Sequence, residues 1–167
     1  MKIAIVDIET TGLDPTKHEI IEIGCVIFND RGFEITDWLD VKVRPKHIET
    51  ADPIALQVNG YNEEEWKDAI GLGEAMSRLM EKAEDAVFCS YPVVFDYPFI
   101  QQIGVEESFS HYKLCLFSMV YSRFGKPLSM KDACERFDIQ PEPKVHRAMN
   151  GAMCEYNLYR ALHEDAV

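Results

Sequence analysis

The segment that most constrains the fold is a β-branched apolar run near the start of the chain. One acid lies inside this run, and a second acid follows it. Residues 2–8 read Lys-Ile-Ala-Ile-Val-Asp-Ile, a composition typical of a buried strand. Asp7 lies inside the run and Glu9 follows it. Side chains two apart on a strand point to the same face, with Cα atoms about 6.6 Å apart, so both carboxylates can converge on one divalent cation or a pair. The alternative is a pair of acids that face water where the strand ends.

The rest of the chain alternates strands and helices. Strands are expected at 20–28 and 33–43, joined by a turn at 29–32, and this predicts an antiparallel meander. A further strand is expected at 86–91. Helices are expected at 52–60, 73–83, 96–104, 114–124 and 128–137, and from near Arg147 to His163. We therefore predict an α/β fold whose mixed sheet begins as an antiparallel meander, continues with parallel strands and is flanked by helices.

The charge of the chain narrows the classes of function. Lysine and arginine number 17, aspartate and glutamate number 29, and the net charge is −12. This balance argues against a broad basic face that binds nucleic acid by neutralising its phosphates. A small site in which carboxylates hold divalent cations remains compatible with it, because a bound ion reverses the local charge.

Length and cysteine content indicate one domain in a reducing compartment. A chain of 167 residues buries roughly 70% of its surface on folding, so we expect a single domain over residues 1–167. The five cysteines are widely spaced and form no CxxC pair, which is typical of reduced thiols in a cytoplasmic protein. The first residues match neither a signal peptide nor a membrane span, so no membrane association is predicted.

Five segments, in chain order, resemble the motifs of one enzyme family. Residues 6–14 (Val-Asp-Ile-Glu-Thr-Thr-Gly-Leu-Asp) resemble the first motif of the DnaQ-like 3′→5′ exonucleases of the DEDDh group. Residues 20–24 resemble the family's second strand, and residues 53–60 its helix that closes on an Asn-Gly or His-Gly pair. Phe95-Asp96 resembles the second motif, and His146-Arg147-Ala148 resembles the start of the third. The family's RNase H-like fold agrees with the α/β prediction.

The resemblance implies phosphodiester hydrolysis by a two-metal mechanism with Mg²⁺ or Mn²⁺. In that scheme Asp7 bridges the two ions and Glu9 ligates the ion that activates water. Asp96 holds the second ion, and His146 is the general base that takes a proton from the attacking water. Taken alone, Asp96 is explained more simply as a helix N-cap and His146 as a surface histidine.

Two positions depart from the family pattern. Tyr91-Pro92 stands where a His-Asn pair is usual, and Gly151 stands where the fourth metal-binding aspartate is usual, five residues after His146. The missing acid allows three interpretations: a natural but impaired site, a disabling substitution, or compensation by another group. Glu155 is the candidate for compensation, because a helix would place it on the same face about 6 Å further along the axis. Its alternative is a solvated glutamate on a terminal helix.

The resemblance also implies contacts with a terminal nucleotide. Thr10, Thr11 and Gly12 would contact it through backbone and side chains, and Leu13 would pack on its base. Leu13 is equally well explained as a core residue that anchors the loop. Arg147 is the best candidate for a phosphate contact, since few basic residues lie near the proposed site.

These observations support three functions. The leading prediction is a metal-dependent exonuclease that acts on the 3′ end of single-stranded DNA or RNA. The second is a module of the same fold that binds a 3′ end but barely cleaves it. The third is a non-catalytic subunit docked on a polymerase. This function implies a protein partner, and a homodimer is also compatible with it. Three glutamates at residues 63–65 are a candidate partner surface, although a solvated helix start explains them more simply.

Overall fold

A computed structural model describes residues 1–164 and contains a five-stranded mixed sheet. The strands are β1 (Lys2–Thr10), β2 (Ile20–Asn29), β3 (Ile35–Lys42), β4 (Val87–Ser90) and β5 (Lys113–Cys115). They lie in the order β3-β2-β1-β4-β5. The pairs β1–β2 and β2–β3 are antiparallel, whereas β1–β4 and β4–β5 are parallel. The predicted antiparallel meander followed by parallel strands is confirmed.

Six α-helices flank this sheet within the described residues. They are α1 (Pro53–Asn59), α2 (Leu72–Ala83), α3 (Val93–Ile103), α4 (Leu116–Phe124), α5 (Met130–Arg136) and α6 (Ala148–Glu164). The predicted helix over 114–124 was wrong at its start, because residues 113–115 pair with β4 as a short strand. Residues 63–68 form turns, so the predicted helix start at the three glutamates was also wrong. None of the helices in residues 1–164 is long and apolar enough to cross a bilayer.

The sheet separates two apolar layers, as the alternation along β1 requires. Ala4, Val6 and Ile8 pack on one side, in the layer that contains α2 and α3. Ile3 and Ile5 pack on the other side, in the layer that contains α4, α5 and α6. Because Asp7 and Glu9 continue the alternation of Ile3 and Ile5, the folding of β1 alone directs both acids toward the α6 layer.

Aromatic contacts hold α6 on the sheet. Phe28 of β2 is fully buried, and its ring meets Tyr156 and Tyr159 edge-on at centroid distances of 5.1 and 5.2 Å. Such pairs contribute about 0.5–1.5 kcal/mol each beyond the burial of their area. These contacts fix the middle of α6 against β2, which pairs with β1.

Gly24 lets the first turn of α6 lie directly on β2. A Cβ atom at this position would be 2.2 Å from the carbonyl carbon and oxygen of Ala148, so no other residue fits without moving the helix. Gly24 is the cross-strand partner of Asp7. The close approach therefore sets the distance between the start of α6 and the acids of β1.

Candidate active site

Asp7 and Glu9 lie on the α6 side of β1, where the strand leaves the core. Asp7 pairs with Gly24 across the sheet and Glu9 pairs with Glu22. Asp7 is half-buried and lines a cleft of about 270 Å³, together with Glu9 and His146. The two carboxylates share one face and open into one cleft, as the spacing along the strand predicts.

Asp96 joins them from the first turn of α3. It is 2% exposed, and its Oδ1 accepts a hydrogen bond of 3.2 Å from the backbone N–H of Ile8. The alternative that Asp96 caps the helix was wrong, because α3 begins at Val93 and Pro92 is its N-cap. An acid in the first turn is also favoured by the positive end of the helix dipole. The turn between β4 and α3 thus places Asp96 beside β1.

Gly151 faces the carboxylate of Asp7. A Cβ atom at this position would be 2.6 Å from Asp7 Oδ2 and 2.7 Å from its Cγ. Position 151 of α6 therefore points at Asp7 of β1. The carboxylate of Asp7 occupies the space that a side chain at this position would need.

Glu155 lies one turn further along α6 and is completely buried. It is 0% exposed, so the alternative of a solvated glutamate was wrong. Its Oε1 accepts a hydrogen bond of 3.0 Å from the backbone N–H of Tyr91, whereas its Oε2 has no hydrogen-bond partner within the described residues. A buried acid with one orphaned oxygen is costly to maintain unless a proton or a cation meets its charge.

Asp7, Asp96 and Glu155 form what we call the inner cluster. Burial raises the pKa of Asp7, and the nearby carboxylates of Asp96 and Glu155 raise it further. Burial raises the pKa of Asp96 to about 7, against the lowering effect of its hydrogen bonds. Burial and the charge of Asp96 raise the pKa of Glu155. These three acids therefore favour their protonated forms unless a bound cation neutralises them.

Glu9, Glu142 and His146 form a second group, which we call the outer cluster. Each offers a ligand atom within 4.8 Å of the others, and no other three His, Cys, Asp or Glu side chains of residues 1–164 lie so close. Glu142 Oε2 is 3.5 Å from His146 Nδ1. Burial raises the pKa of Glu9 to about 8, and Glu142 is the next cause. The predicted ligands Asp7, Glu9 and Asp96 are thus divided between two neighbouring clusters.

Sequence reasoning missed Glu142. It lies in the loop between α5 and α6, where no periodic pattern indicates burial, yet its side chain is only 8% exposed. Its Oε1 accepts a hydrogen bond of 3.0 Å from the backbone N–H of Arg147, which turns the carboxylate toward the start of α6. The available signal was its place between Pro141 and Pro143, which stiffen the loop four residues before His146.

Arg147 is engaged in contacts away from the clusters. Its guanidinium forms an ion pair of 2.6 Å with Glu65 and donates to the backbone carbonyl of Asn59. It also lies over the ring of Trp66, 5.3 Å from the centroid. The structure therefore does not place Arg147 as a phosphate contact. It joins the start of α6 to the segment that follows α1.

The loop after β1 is held rigidly and leaves one apolar side chain exposed. Thr10 donates to the carbonyl of Gly12 at 2.7 Å, and Thr11 Oγ1 accepts from the N–H of Glu19 at 2.9 Å. A Cβ at Gly12 would be 2.5 Å from the ring of His18, so the loop needs glycine there. Leu13 is 76% exposed at the rim of the cleft, so the alternative of a core residue was wrong.

The residues of the two clusters fit divalent cations. Carboxylate oxygens are the ligands that Mg²⁺ and Mn²⁺ prefer. The orphaned Oε2 of Glu155 and the mutual repulsion of the buried acids are features that a bound cation would relieve. The arrangement can hold cations in its buried part and exchange protons with solvent through His146, whose side chain is 47% exposed.

Comparisons with known proteins agree with this geometry. The RNase T exonuclease family matches residues 4–159. A DNA polymerase III of the PolC type from Thermotoga maritima is 29% identical over 97 residues, which is 58% of this chain and 7% of that polymerase. The chain thus spans a small fraction of the curated relatives it matches.

Solved structures share the fold at low sequence identity. A product-bound exonuclease I superposes with a TM-score of 0.79 at 12% identity, covering 98% of this chain and 43% of that one. A 3′-exonuclease solved for its recognition of the 3′ end of histone mRNA stem-loops superposes with a TM-score of 0.75 at 16% identity, covering 98% and 82%. The sheet order and the helices flanking it are therefore those of a known fold.

Proposed function

The chain belongs to the RNase T exonuclease family, the DnaQ-like group with an RNase H-like fold, and we propose that it is a metal-dependent 3′→5′ exonuclease acting on single-stranded nucleic acid. The observation that carries the proposal is the meeting of the inner and outer clusters at one cleft, which Asp7, Glu9 and His146 line together. Residues 1–167 would form one exonuclease domain. A cytoplasmic location, predicted from the cysteines, is part of the proposal, and all five cysteines are unpaired thiols.

Asp7, Glu9 and Asp96 would hold two divalent cations, Mg²⁺ or Mn²⁺. When bound, two such ions stabilise the attacking and leaving oxygens of a phosphodiester in an in-line displacement. The residues themselves contribute fixed positions. Asp96 is held by the N–H of Ile8, and Asp7 by its place in the middle of the β1–β2 pairing. Such preorganised carboxylates need little rearrangement when substrate arrives.

His146 would accept the proton of the attacking water. Histidine side chains accept protons near neutral pH, and this ring is exposed at the mouth of the cleft. The carboxylate of Glu142 at 3.5 Å from Nδ1 would stabilise the positive charge that the ring acquires. The backbone N–H of His146 also donates to the carbonyl of Val58 at 3.0 Å, which fixes the ring beside α1.

The cleft fits the terminal nucleotide of a single strand. Leu13 at its rim and Val58 and Phe95 on its walls offer apolar surface for a base. Thr10, Thr11 and Gly12 would contact the nucleotide through the loop that they hold rigid. With a net charge of −12, the protein would depend on metals and base contacts rather than on a long basic track.

A second candidate function is a module that holds a 3′ end beside a polymerase without rapid cleavage. Two observations favour it. Gly151 brings no carboxylate to the position facing Asp7, and the chain is similar over 97 residues to PolC-type polymerases. In this case the expected behaviour is tight, metal-dependent binding of 3′ ends and little turnover.

One experiment separates these functions. A single-stranded oligonucleotide labelled at its 5′ end, as DNA and as RNA, is incubated with the full chain and Mg²⁺ or Mn²⁺, beside Gly151→Asp. A ladder that shortens from the 3′ end and stops at a phosphorothioate near that end supports the exonuclease. Cleavage by Gly151→Asp alone supports the binding module. The absence of metal-dependent cleavage and of 3′-end binding by both proteins would contradict both functions.

A further inference from the structure

The two departures of the sequence from its family pattern meet at one side chain. Gly151 removes the usual acid from α6, and Tyr91-Pro92 replaces the usual pair before α3. Glu155 of α6 receives its hydrogen bond from the N–H of Tyr91, at 3.0 Å. Gly151, which faces Asp7, lies one helical turn before Glu155 on the same helix. The departures are therefore parts of one local arrangement.

The burial of Glu155 is difficult to explain without a ligand. The side chain is 0% exposed, and its Oε2 has no hydrogen-bond partner within residues 1–164. Its charged neighbours include Asp96, which repels it. A buried acid beside two others is strongly destabilising unless a cation or protons neutralise the group. The carboxylates of Asp7 and Asp96, which would hold metals in the proposed enzyme, lie beside it.

We propose that Glu155 supplies the fourth carboxylate of the metal site, from a position one helical turn beyond the usual one. This inference rests on the proposed function. Four residues advance the helix by about 6 Å, and the longer glutamate side chain offsets part of this distance. With glycine at position 151, the carboxylate of Asp7 lies directly against α6, one helical turn before Glu155. The N–H of Tyr91 holds Oε1, and Oε2 is left to ligate.

The test measures metal binding without catalysis. The metal-free full chain is titrated with Mn²⁺ by calorimetry, beside Glu155→Gln, which keeps the shape of the side chain and removes its charge. We expect an affinity at least about 10-fold weaker, or one ion fewer, in Glu155→Gln. Glu106→Gln is the matched control, because Glu106 also has a buried oxygen without a partner but lies in the turn after α3, beyond the opposite end of β4 from the clusters. It should bind Mn²⁺ like the wild type.

Thermal unfolding of the metal-free proteins separates ligation from a structural role. Glu155→Gln should be at least as stable as the wild type without metal and should gain less stability from added Mn²⁺. If Glu155→Gln does not fold, Glu155→Asp withdraws the carboxylate by one methylene and should bind Mn²⁺ more weakly. Equal Mn²⁺ affinity in the wild type and in the folded variant would overturn the inference and assign Glu155 a protonated, structural role.

Moving the carboxylate from position 155 to position 151 gives a further check. Gly151→Asp combined with Glu155→Gln returns the carboxylate to the usual position and should restore most of the lost Mn²⁺ affinity. A double variant that binds no better than Glu155→Gln would contradict the exchange of roles between the two positions. If the wild type cleaves but Glu155→Gln binds Mn²⁺ normally, only this inference fails. If the wild type neither binds Mn²⁺ nor cleaves, the proposed function fails as well.

Discussion

The inner and outer clusters lie side by side at the end of β1 and differ most in their access to water. In the inner cluster Glu155 and Asp96 are 0% and 2% exposed, whereas the His146 side chain of the outer cluster is 47% exposed. Buried acids without cationic partners are neutralised by a bound ion or by protons. An exposed histidine can exchange protons with solvent throughout a reaction. The comparison assigns the buried metal ligands to the inner cluster and proton transfer to His146 of the outer cluster, whose Glu9 would also ligate a cation.

The largest effect is expected from Asp7→Asn. Asp7 is the inner-cluster residue that opens into the cleft, so its loss should remove Mn²⁺ binding and lower the cleavage rate at least about 1,000-fold. Because the substitution also removes a half-buried charge, the metal-free variant should unfold at the same temperature as the wild type or a higher one. Single-turnover cleavage and thermal unfolding measure the two effects, and an active Asp7→Asn would refute the assigned site.

His146→Ala should separate the two clusters. We expect the cleavage rate to fall about 100-fold or more through loss of the general base, with Mn²⁺ affinity nearly unchanged. Glu142→Gln is the companion variant, because it leaves the ring and removes only its neighbouring charge. The cleavage rate of Glu142→Gln should fall less than that of His146→Ala. A large loss of Mn²⁺ affinity in His146→Ala would mean that the outer cluster, rather than the inner one, holds a metal.

The stability of the metal-free protein should fall as pH rises from roughly 5 to 8. The pKa of Asp96 is raised from 3.8 to about 7 and that of Glu9 from 4.5 to about 8. The folded state therefore keeps protons that the unfolded chain loses near pH 4. Stability is lost between those values, on the order of a few kcal/mol for the buried Asp96. Denaturant unfolding across this range measures it, with a shallower slope expected for Asp96→Asn.

Bound metal should remove this dependence of stability on pH. Excess Mn²⁺ favours the ionised acids, so the loaded protein should keep its stability up to pH 8. Asp37 does not add to the change of stability between pH 5 and 8. Its hydrogen bond with Lys82 lowers its pKa, so its contribution to the free energy of unfolding changes only in more acidic solution. A metal-free protein that becomes more stable between pH 5 and 8 would contradict the raised pKa values of Asp96 and Glu9.

The smallest effect is expected from Arg147→Ala, which removes contacts next to the outer cluster. Arg147→Ala removes the ion pair with Glu65 and the contact with Trp66, so we expect a loss of about 1 kcal/mol in the free energy of unfolding. The activity should fall only a few-fold, through loosening of the loop that carries Glu142 and His146. A large rise in KM that depends on salt, with stability unchanged, would instead favour the phosphate contact predicted from the sequence.

Much of the fold and the shared face of Asp7 and Glu9 could be predicted from local patterns, whereas Asp96 was located by its resemblance to a family motif. The period of β1 places Asp7 and Glu9 on one face, and helix spacing brings Glu155 near Gly151. The burial of Glu155 could not be predicted, because it depends on Tyr91 from a different element. The strand at 113–115 was missed because three residues carry no period.

The outer cluster was less predictable for a related reason. Glu142 belongs to an irregular loop, and its contact with Glu9 joins residues far apart in the chain. The contacts of Arg147 with Glu65 and Trp66 could not be predicted, because they join segments far apart in the chain. Residues on regular elements were located by their spacing, whereas loop residues depended on tertiary contacts.

Gly24 limits the mutational routes by which this site can acquire a new acid. With the carbonyl of Ala148 only 2.2 Å from where a Cβ would stand, the first turn of α6 already lies against β2 and cannot move closer to the sheet to suit a different ligand. Mutations must instead use the positions of α6 that already face β1, which recur every three or four residues. The acid that α6 contributes to the site would then have changed only among these few positions, while the helix stayed in place. Gly151 together with Glu155 is one such combination.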